Sequence, residues 1–307
     1  MTGARHGRVL VVGDIVTDVL AAHPAPLAPG ADTRARIRVT GGGSAANTAA
    51  WLAAHGVPVA LVGVAGGDAA GEERLVELGR AGVDHAAVRR AADAATGCVV
   101  VLVRGDERTM LSDRGANALL RPDDVDGPVR APEVAHVHVS AYVLLDPATR
   151  PAGRHALATA RALGRTTSVG AASAVALRAV PDFVDLVRGI DLLLCNADEA
   201  RALLRLPAAG PAATPGTDLG TLAVAVAAHV GHAVVTGGPA GAAWARGGAV
   251  IAQAGGLAVD VVDATGAGDA FASGVLQGFV SGADPRAALR TGTERGAAAV
   301  TRLGARP

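Results

Sequence analysis

Short valine-rich apolar runs alternate along this chain with longer alanine-rich stretches. The runs at residues 9–12, 59–64, 134–140, 166–169, 191–194 and 233–236 have the length and β-branched content of strands. The stretches at 44–55, 71–81, 149–163, 197–206 and 218–230 read as helices, and two more follow at 267–280 and 285–301. Such alternation predicts a three-layer α/β fold, a mostly parallel sheet with helices on both faces. Two segments break the rhythm. Residues 34–40 alternate polar and apolar like a strand with one wet face, and 96–103 with 107–111 read as a hairpin around Arg104-Gly105-Asp106. We read the segments from about 15–40 and 96–112 as a small β-lid inserted into one domain spanning 1–307; ordinary edge strands are the plainer alternative. The proline- and glycine-rich segment 207–217 reads as a surface insertion, since the alternation resumes after it.

Composition narrows the chemistry. The chain has 307 residues, half of them hydrophobic, and its formal charge is zero. That balance argues against a nucleic-acid or anionic-membrane partner, and no run of about 18 apolar residues suggests a membrane span. The start passes directly into a strand-like run without a leader pattern, and the two cysteines, Cys98 and Cys195, lie in apolar runs. They read as buried thiols of a cytoplasmic protein. Most telling, the chain contains no lysine. A P-loop is thereby excluded, and any phosphate must be met by backbone amides, arginine or a metal.

Candidate chemistry concentrates at strand ends. In Val259–Phe271 a strand runs through Asp263-Ala264-Thr265-Gly266-Ala267-Gly268 into a helix that begins with Asp269 in its first turn. Small residues let the amides of Gly266, Ala267 and Gly268 approach an anion at the positive end of that helix. A carboxylate beside such a site has a natural task, to take the proton of a hydroxyl that attacks a phosphoryl group; plain helix capping is the alternative. Gly41-Gly42-Gly43 precede a helix with Ser44 as its expected N-cap and Asn47 one turn in. Asp14 and Asp18 follow the first strand, where ligands of open α/β sheets bind. Asn196 and Glu199 could organise a hydrated magnesium ion or merely form a capping box. Thr236, Gly238 and Gly241 form a turn after a strand, able to cradle a nucleotide or simply to reverse the chain. His136 and His138 share one face of a strand and read as packing rather than as metal ligands.

Taken in order, these pieces resemble the ribokinase-like (PfkB) carbohydrate kinase family over nearly the whole chain. Asp263-Ala-Thr-Gly-Ala-Gly-Asp-Ala-Phe271 is similar to the family's second signature, and Gly42-Gly43 with Asn47 to its first. Gly115-Ala-Asn117 and Ala297–Arg306 resemble ribokinase in particular. The resemblance implies an ATP- and Mg2+-dependent kinase acting on a hydroxyl of a sugar or sugar derivative. It implies Asp269 as catalytic base and the Gly266–Gly268 amides as anion hole. Asp14, Asp18, Gly42, Gly43 and Asn47 would hold the acceptor; Asn196, Thr236, Gly238, Gly241 and Gly268 the nucleotide; Glu199 the magnesium, indirectly. Asp263 and Thr265 resemble part of a potassium site. The lid would close over the acceptor and mediate a homodimer.

The departures concern the acceptor. Ribokinases carry asparagine where Val16 stands, lysine where Ser44 stands, and a glutamate within what is here Ser140-Ala141-Tyr142; 168–170 lacks an aspartate found in many relatives. A nucleoside kinase on the same fold is the alternative, disfavoured by the 2% aromatic content. A non-catalytic ligand sensor is the rival of another class. Arg104, Arg108 and Arg114 would either bind an anionic acceptor or be solvated lid charges.

Overall fold

The computed structural model describes residues 7–104, 107–208 and 218–307. Among them, thirteen strands follow in chain order: β1 (Arg8–Val12), β2 (Val16–Ala22), β3 (Arg36–Gly42), β4 (Val59–Gly66), β5 (Val88–Ala91), β6 (Gly97–Arg104), β7 (Glu107–Asp113), β8 (Val134–Ser140), β9 (Thr166–Gly170), β10 (Leu192–Asn196), β11 (His232–Thr236), β12 (Ala242–Arg246) and β13 (Ala249–Ala254). Nine form one sheet in the order β13-β12-β11-β10-β9-β8-β1-β4-β5. Pairing is parallel from β11 through to β5, while β12 and β13 extend one edge antiparallel.

The side chains of β1 show why the layers form. Leu10 and Val12 enter one core cluster, Val9 and Val11 the other, because successive strand residues point to opposite faces. β4 is buried along its whole length, as a parallel strand covered on both faces must be. Helices Ser44–Ala54, Ala69–Arg80, Ala267–Ser281 and Pro285–Val300 cover one face. Helices Pro122–Arg130, Arg150–Ala162, Ala197–Leu203 and Leu219–Ala227 cover the other. From β1 the chain builds toward β4 and β5 on one side, then takes up β8 to β11 on the other. The order therefore reverses between β1 and β8, and a crevice at the carboxyl ends of the strands follows from that reversal.

Strands β3-β2-β6-β7 form a separate four-stranded sheet. The register places Val16, Asp18, Val99, Val101, Met110 and Ser112 on its inner face. Val19, Ile37, Val39, Val100, Leu102 and Leu111 occupy the outer face. The plainer reading of edge strands does not hold, because these strands pair with one another and not with the large sheet. Sequence reading places only 34–40 of the first lid segment in a strand; its partner β2 adds a second. The hairpin tip, Gly105-Asp106, and the segment 209–217 lie outside the described residues.

Two expectations are corrected. Cys98 is only half-buried, on the outer face of the small sheet; Cys195 is buried, and both are free thiols. The β12–β13 hairpin is absent from the sequence reading because alanine fills both strands, yet Gly247 and Gly248 carry φ of 56° and 82°, the two-residue turn such a hairpin needs. Among the described residues no helix is long and apolar enough to cross a membrane.

The junction between β1 and β2, where the small sheet departs from the large one, is pinned by Asn117. Its Oδ1 accepts from Ile15 N–H at 2.9 Å and its Nδ2 donates to the Ile15 carbonyl at 2.9 Å, with 3% of the residue exposed. Asn117→Ala leaves two buried main-chain groups unpaired. The expected loss is roughly 2–4 kcal/mol of unfolding free energy, measured by urea denaturation; an unchanged midpoint would contradict it.

Candidate active site

The carboxyl ends of β1, β8, β10 and β11 and the inner face of the small sheet enclose a cleft of about 530 Å3. Asp269 stands in it. Helix Ala267–Ser281 starts after Gly266, whose φ of +76° suits glycine and whose Cβ position is filled by Ala305. Gly266 and Gly268 line the cleft. The Ala267 amide makes only a long contact, 3.4 Å, to the Ala264 carbonyl. Among the described residues no main-chain acceptor is found for the amides of Gly266 and Gly268. Those N–H groups are free to meet an anion.

Both oxygens of Asp269 are held. Ser44 Oγ donates to Oδ1 at 2.8 Å and Asn47 Nδ2 donates to Oδ2 at 3.0 Å. Burial pushes the carboxyl up to about 6, against the two hydrogen bonds and with the charge of Asp18 adding to the rise. Ser44 is therefore not the N-cap expected from sequence. Gly43 occupies that position, and the Ser44 hydroxyl goes to Asp269 instead. Helix Ser44–Ala54 thus brings its first turn to the start of another helix 225 residues away.

Asp18, on the inner face of β2, is 6% exposed, and burial raises it to about 6. A Cβ on Gly42 would collide with its carboxylate, so the di-glycine is required here by close approach. Gly42 itself does not line the cleft; Gly43, Asn47, Asp18 and Asp14 do. Asp14 accepts from Arg114 Nη2 at 2.9 Å, and Arg114 Nη1 reaches the Tyr142 carbonyl and Asp146. Arg114 is thus neither a solvated charge nor an unpaired anion receptor. The side chain of Arg108 lies outside the described residues, and Arg104 has a partner of its own.

At the opposite end, Asn196 and Glu199 form the capping box that their spacing allows. Asn196 Oδ1 accepts from Glu199 N–H and Glu199 Oε2 from Asn196 N–H, both at 2.9 Å. Both still line the cleft with Thr236. Burial raises Glu199 to about 7, with Asp269 among the charges that add to it. Gly238 and Gly241 lie outside the cleft lining. Gly241 packs against the Ala254 carbonyl and its own carbonyl accepts from Gly237 N–H, so both serve the β11–β12 turn. Asp263 is buried under the glycine loop. Its Oδ1 accepts from Thr265 N–H and Oγ1 at 2.9 and 2.7 Å, and its Oδ2 from Gly304 N–H at 3.1 Å. Thr265 lines the cleft; Ala267 does not.

Sequence reasoning missed three participants: Ser44 as partner of Asp269, the Arg114–Asp14 pair, and Arg306, whose Nη2 donates to the Gly42 carbonyl at 3.0 Å. No spacing rule marks such contacts, since each joins distant segments. His136 and His138 behave as packing groups. Both bond Ser168 Oγ at 2.7 Å, and burial pushes them down to about 3 and about 4, so both are neutral.

The sequence and the fold match a known family. Residues 7–307 match the model of the pfkB family carbohydrate kinases. An ATP-dependent ribose-1-phosphate kinase of Halopiger xanaduensis is 32% identical over 302 residues, covering 97% of this chain and 94% of that protein. Among solved structures, adenosine kinase from Sinorhizobium meliloti matches with a TM-score of 0.84 at 26% identity, over 98% of this chain and 96% of that one. A probable sugar kinase from Rhizobium etli matches with a TM-score of 0.85 at 25% identity, over 98% and 95%. The resemblance read from the signatures is borne out: the chain belongs to the pfkB family of carbohydrate kinases and is a phosphotransferase with an alcohol acceptor.

Proposed function

We propose that this enzyme transfers the γ-phosphoryl group of ATP to the primary hydroxyl of a ribosyl group substituted at its anomeric carbon, with a sugar phosphate as the first candidate. One observation carries the reading. Asp269 is held by two neutral donors inside the cleft, beside the free amides of Gly266 and Gly268. The relative from Halopiger xanaduensis and the adenosine kinase neighbour are named for acceptors that share a C1-substituted ribose. A nucleoside is the second reading, supported by the Tyr142 ring, 38% exposed and lining the cleft.

In this mechanism Asp269 takes the hydroxyl proton as the acceptor oxygen bonds to the γ-phosphorus and the bridging bond to ADP breaks. The Gly266 and Gly268 amides meet the charge on the phosphoryl oxygens, the electrostatic contribution on which such transfer mainly depends. Asp18 accepts hydrogen bonds from neighbouring acceptor hydroxyls. The donor set near Glu199 suits a hydrated divalent ion rather than an all-protein cage. Among the described residues no group of three or more His, Cys, Asp or Glu side chains could hold a metal, and Glu199 is raised by burial and further by the charge of Asp269. Magnesium held there through water would neutralise phosphate charge. Asp263 and Thr265 are the residues to probe for potassium dependence. The small sheet serves as the lid of a single catalytic unit, and its outer face joins two copies. Ile37, Val39 and Leu111 are 65%, 58% and 57% exposed there, an apolar surface without a partner in the described chain.

A coupled ADP-release screen tests the acceptor: ribose, ribose 1-phosphate, fructose, ketodeoxygluconate, adenosine and pseudouridine, each with and without potassium. Ribose 1-phosphate is expected to give the highest kcat/KM; adenosine in that place would install the second reading. Ligand binding without ADP release would make the chain a sensor. Asp269→Asn is expected to lower kcat about 10²–10⁴-fold while the KM for ATP stays within a few-fold, and undiminished turnover would remove Asp269 as the base.

The same variant has a stability signature. Asp269 is raised in the folded state from 3.8 to about 6, so between these values the folded chain keeps a proton that the unfolded chain has lost. Ionising it therefore costs stability as the pH rises through that window. Asp269→Asn should gain stability relative to wild type from pH 4 to 6 in paired urea titrations; a flat difference would show that the carboxyl is not desolvated.

Replacing Val39 with Asp is expected to yield a monomer in light scattering, with ATP binding retained. A wild-type protein that is already monomeric would sink the dimer.

A further inference from the structure

The segment after helix Pro285–Val300 folds back under the cleft. Gly304 N–H is fixed by Asp263 at 3.1 Å, and the Ala305 carbonyl accepts from Trp51 Nε1 at 3.0 Å. Ala305 also occupies the space beside Gly266. Arg306 then reaches the other side of the site. Its Nη2 donates to the Gly42 carbonyl at 3.0 Å, its Nε to Asn47 Oδ1 at 3.3 Å, and its Nη1 to Glu77 Oε2 at 3.1 Å. Its side chain is 14% exposed. A Cβ on Gly41 would collide with the guanidinium, just as one on Gly42 would collide with Asp18. The glycine pair is shaped on one side by Arg306 and on the other by the acceptor carboxylate.

The contact with Asn47 has a consequence for Asp269. An asparagine amide has an acceptor end and a donor end. With Oδ1 turned to the guanidinium, Nδ2 is the end left for Asp269 Oδ2, which it meets at 3.0 Å. Removing the guanidinium would free the amide to rotate, and the rotated amide would set an oxygen against a carboxylate. Glu77 is shared with Arg74, whose Nη2 donates to Oε1 at 2.9 Å. The charged groups around Arg306 are thus Glu77, Arg74 and Asp18, and Asp18 also feels Asp263.

We propose that Arg306 is a positioning residue for phosphoryl transfer: it sets the orientation of Asn47 toward Asp269 and holds the Gly41–Gly42 segment against Asp18. The proposal rests on the kinase reading above for its kinetic test, whereas its second test reads the charge of Arg306 near Asp18, across the glycine pair that both side chains crowd. Kinetically, Arg306→Ala is expected to lower kcat/KM for the acceptor about 10²-fold, the usual effect of a misplaced group, with the KM for ATP within about threefold. Free guanidinium ion at millimolar concentration should restore at least about tenfold in the variant and nothing in the wild type. Arg306→Lys, which keeps a charge but loses the fork, should fall between. The second test needs no substrate. The ¹³C-carboxyl titration of Asp18 should move upward in Arg306→Ala and in Arg306→Lys less so, because the charge that opposes its rise is removed or displaced.

Acceptor kinetics within about threefold of wild type, or a loss matched by a fall in melting temperature and untouched by guanidinium, would overturn the positioning role. An unmoved Asp18 titration would overturn it as well. If the wild type releases no ADP with any acceptor while the Asp18 titration still moves in the variants, the kinase reading fails, and with it the part Arg306 plays in phosphoryl transfer, while its placement beside the glycine pair and Asp18 stands. If Arg306→Ala does not fold, Arg306→Lys carries both measurements.

Discussion

The site depends on a carboxylate set half-buried in a cleft without a cation against it. Asp269 is held by a hydroxyl and an amide, both neutral. Had an arginine or lysine provided those contacts, the charge would have drawn its pKa well down and weakened it as a base. Two dipolar donors fix the geometry and leave the carboxyl at about 6, near the range where a general base is effective. In this light Ser44, at a position where ribokinases carry lysine, belongs to the tuning of the base as much as to the acceptor pocket. Burial raises Asp18 and Glu199 as well, to about 6 and about 7, although the charges of Arg306 and Arg74 hold Asp18 back.

Such an arrangement needs distant segments to converge within a few tenths of an ångström, and the sheet supplies the frame. The order reversal between β1 and β8 opens the crevice at the strand ends. Asp14 arrives there from β1, Asn196 and Glu199 from β10, and Thr236 from β11. The helices beginning at Ser44 and Ala267 pack side by side on one face, so their first turns meet. The small sheet leaves the main body at the pinned Ile15 and returns its inner face, with Asp18, Val99 and Val101, as a roof.

The parts legible in the sequence were those governed by local chemistry. Glycine–alanine–glycine before Asp269 announced a helix start with open amides, and valine runs between alanine stretches announced the parallel sheet. What stayed hidden was tertiary. Ser44 looks like an N-cap because serine favours that position; only the approach of another helix redirects its hydroxyl. Asn196 and Glu199 form the capping box and also border the cleft, so the plainer reading does not displace the other. Gly238 and Gly241 matched a nucleotide motif in spacing and also make the turn from β11 into β12, a strand that its alanines concealed. Cys98 sits in an apolar run, yet alternate residues of that run face opposite sides of the small sheet, and Cys98 falls on the outer one.

The absence of lysine gains its meaning from the pairing of the arginines. Arg114 is engaged by Asp14 and Asp146, and Arg306 by Glu77, so these two cations beside the cleft are already matched. The remaining acids of the lining, Asp18, Asp113, Glu199 and Asp269, give the cleft an excess of negative charge once ionised. A triphosphate entering alone would meet repulsion there, whereas one accompanied by a divalent ion would not. On the proposed reading the nucleotide therefore brings its own counter-charge, and the protein contributes oriented amides. Their orientation is set by the left-handed Gly266 and by Ala305 packed against it. Any side chain at 266 would displace the segment that also places Arg306. On the same reading the anion-binding turn and the acceptor site are coupled through those few residues, and a change at either would be felt at both.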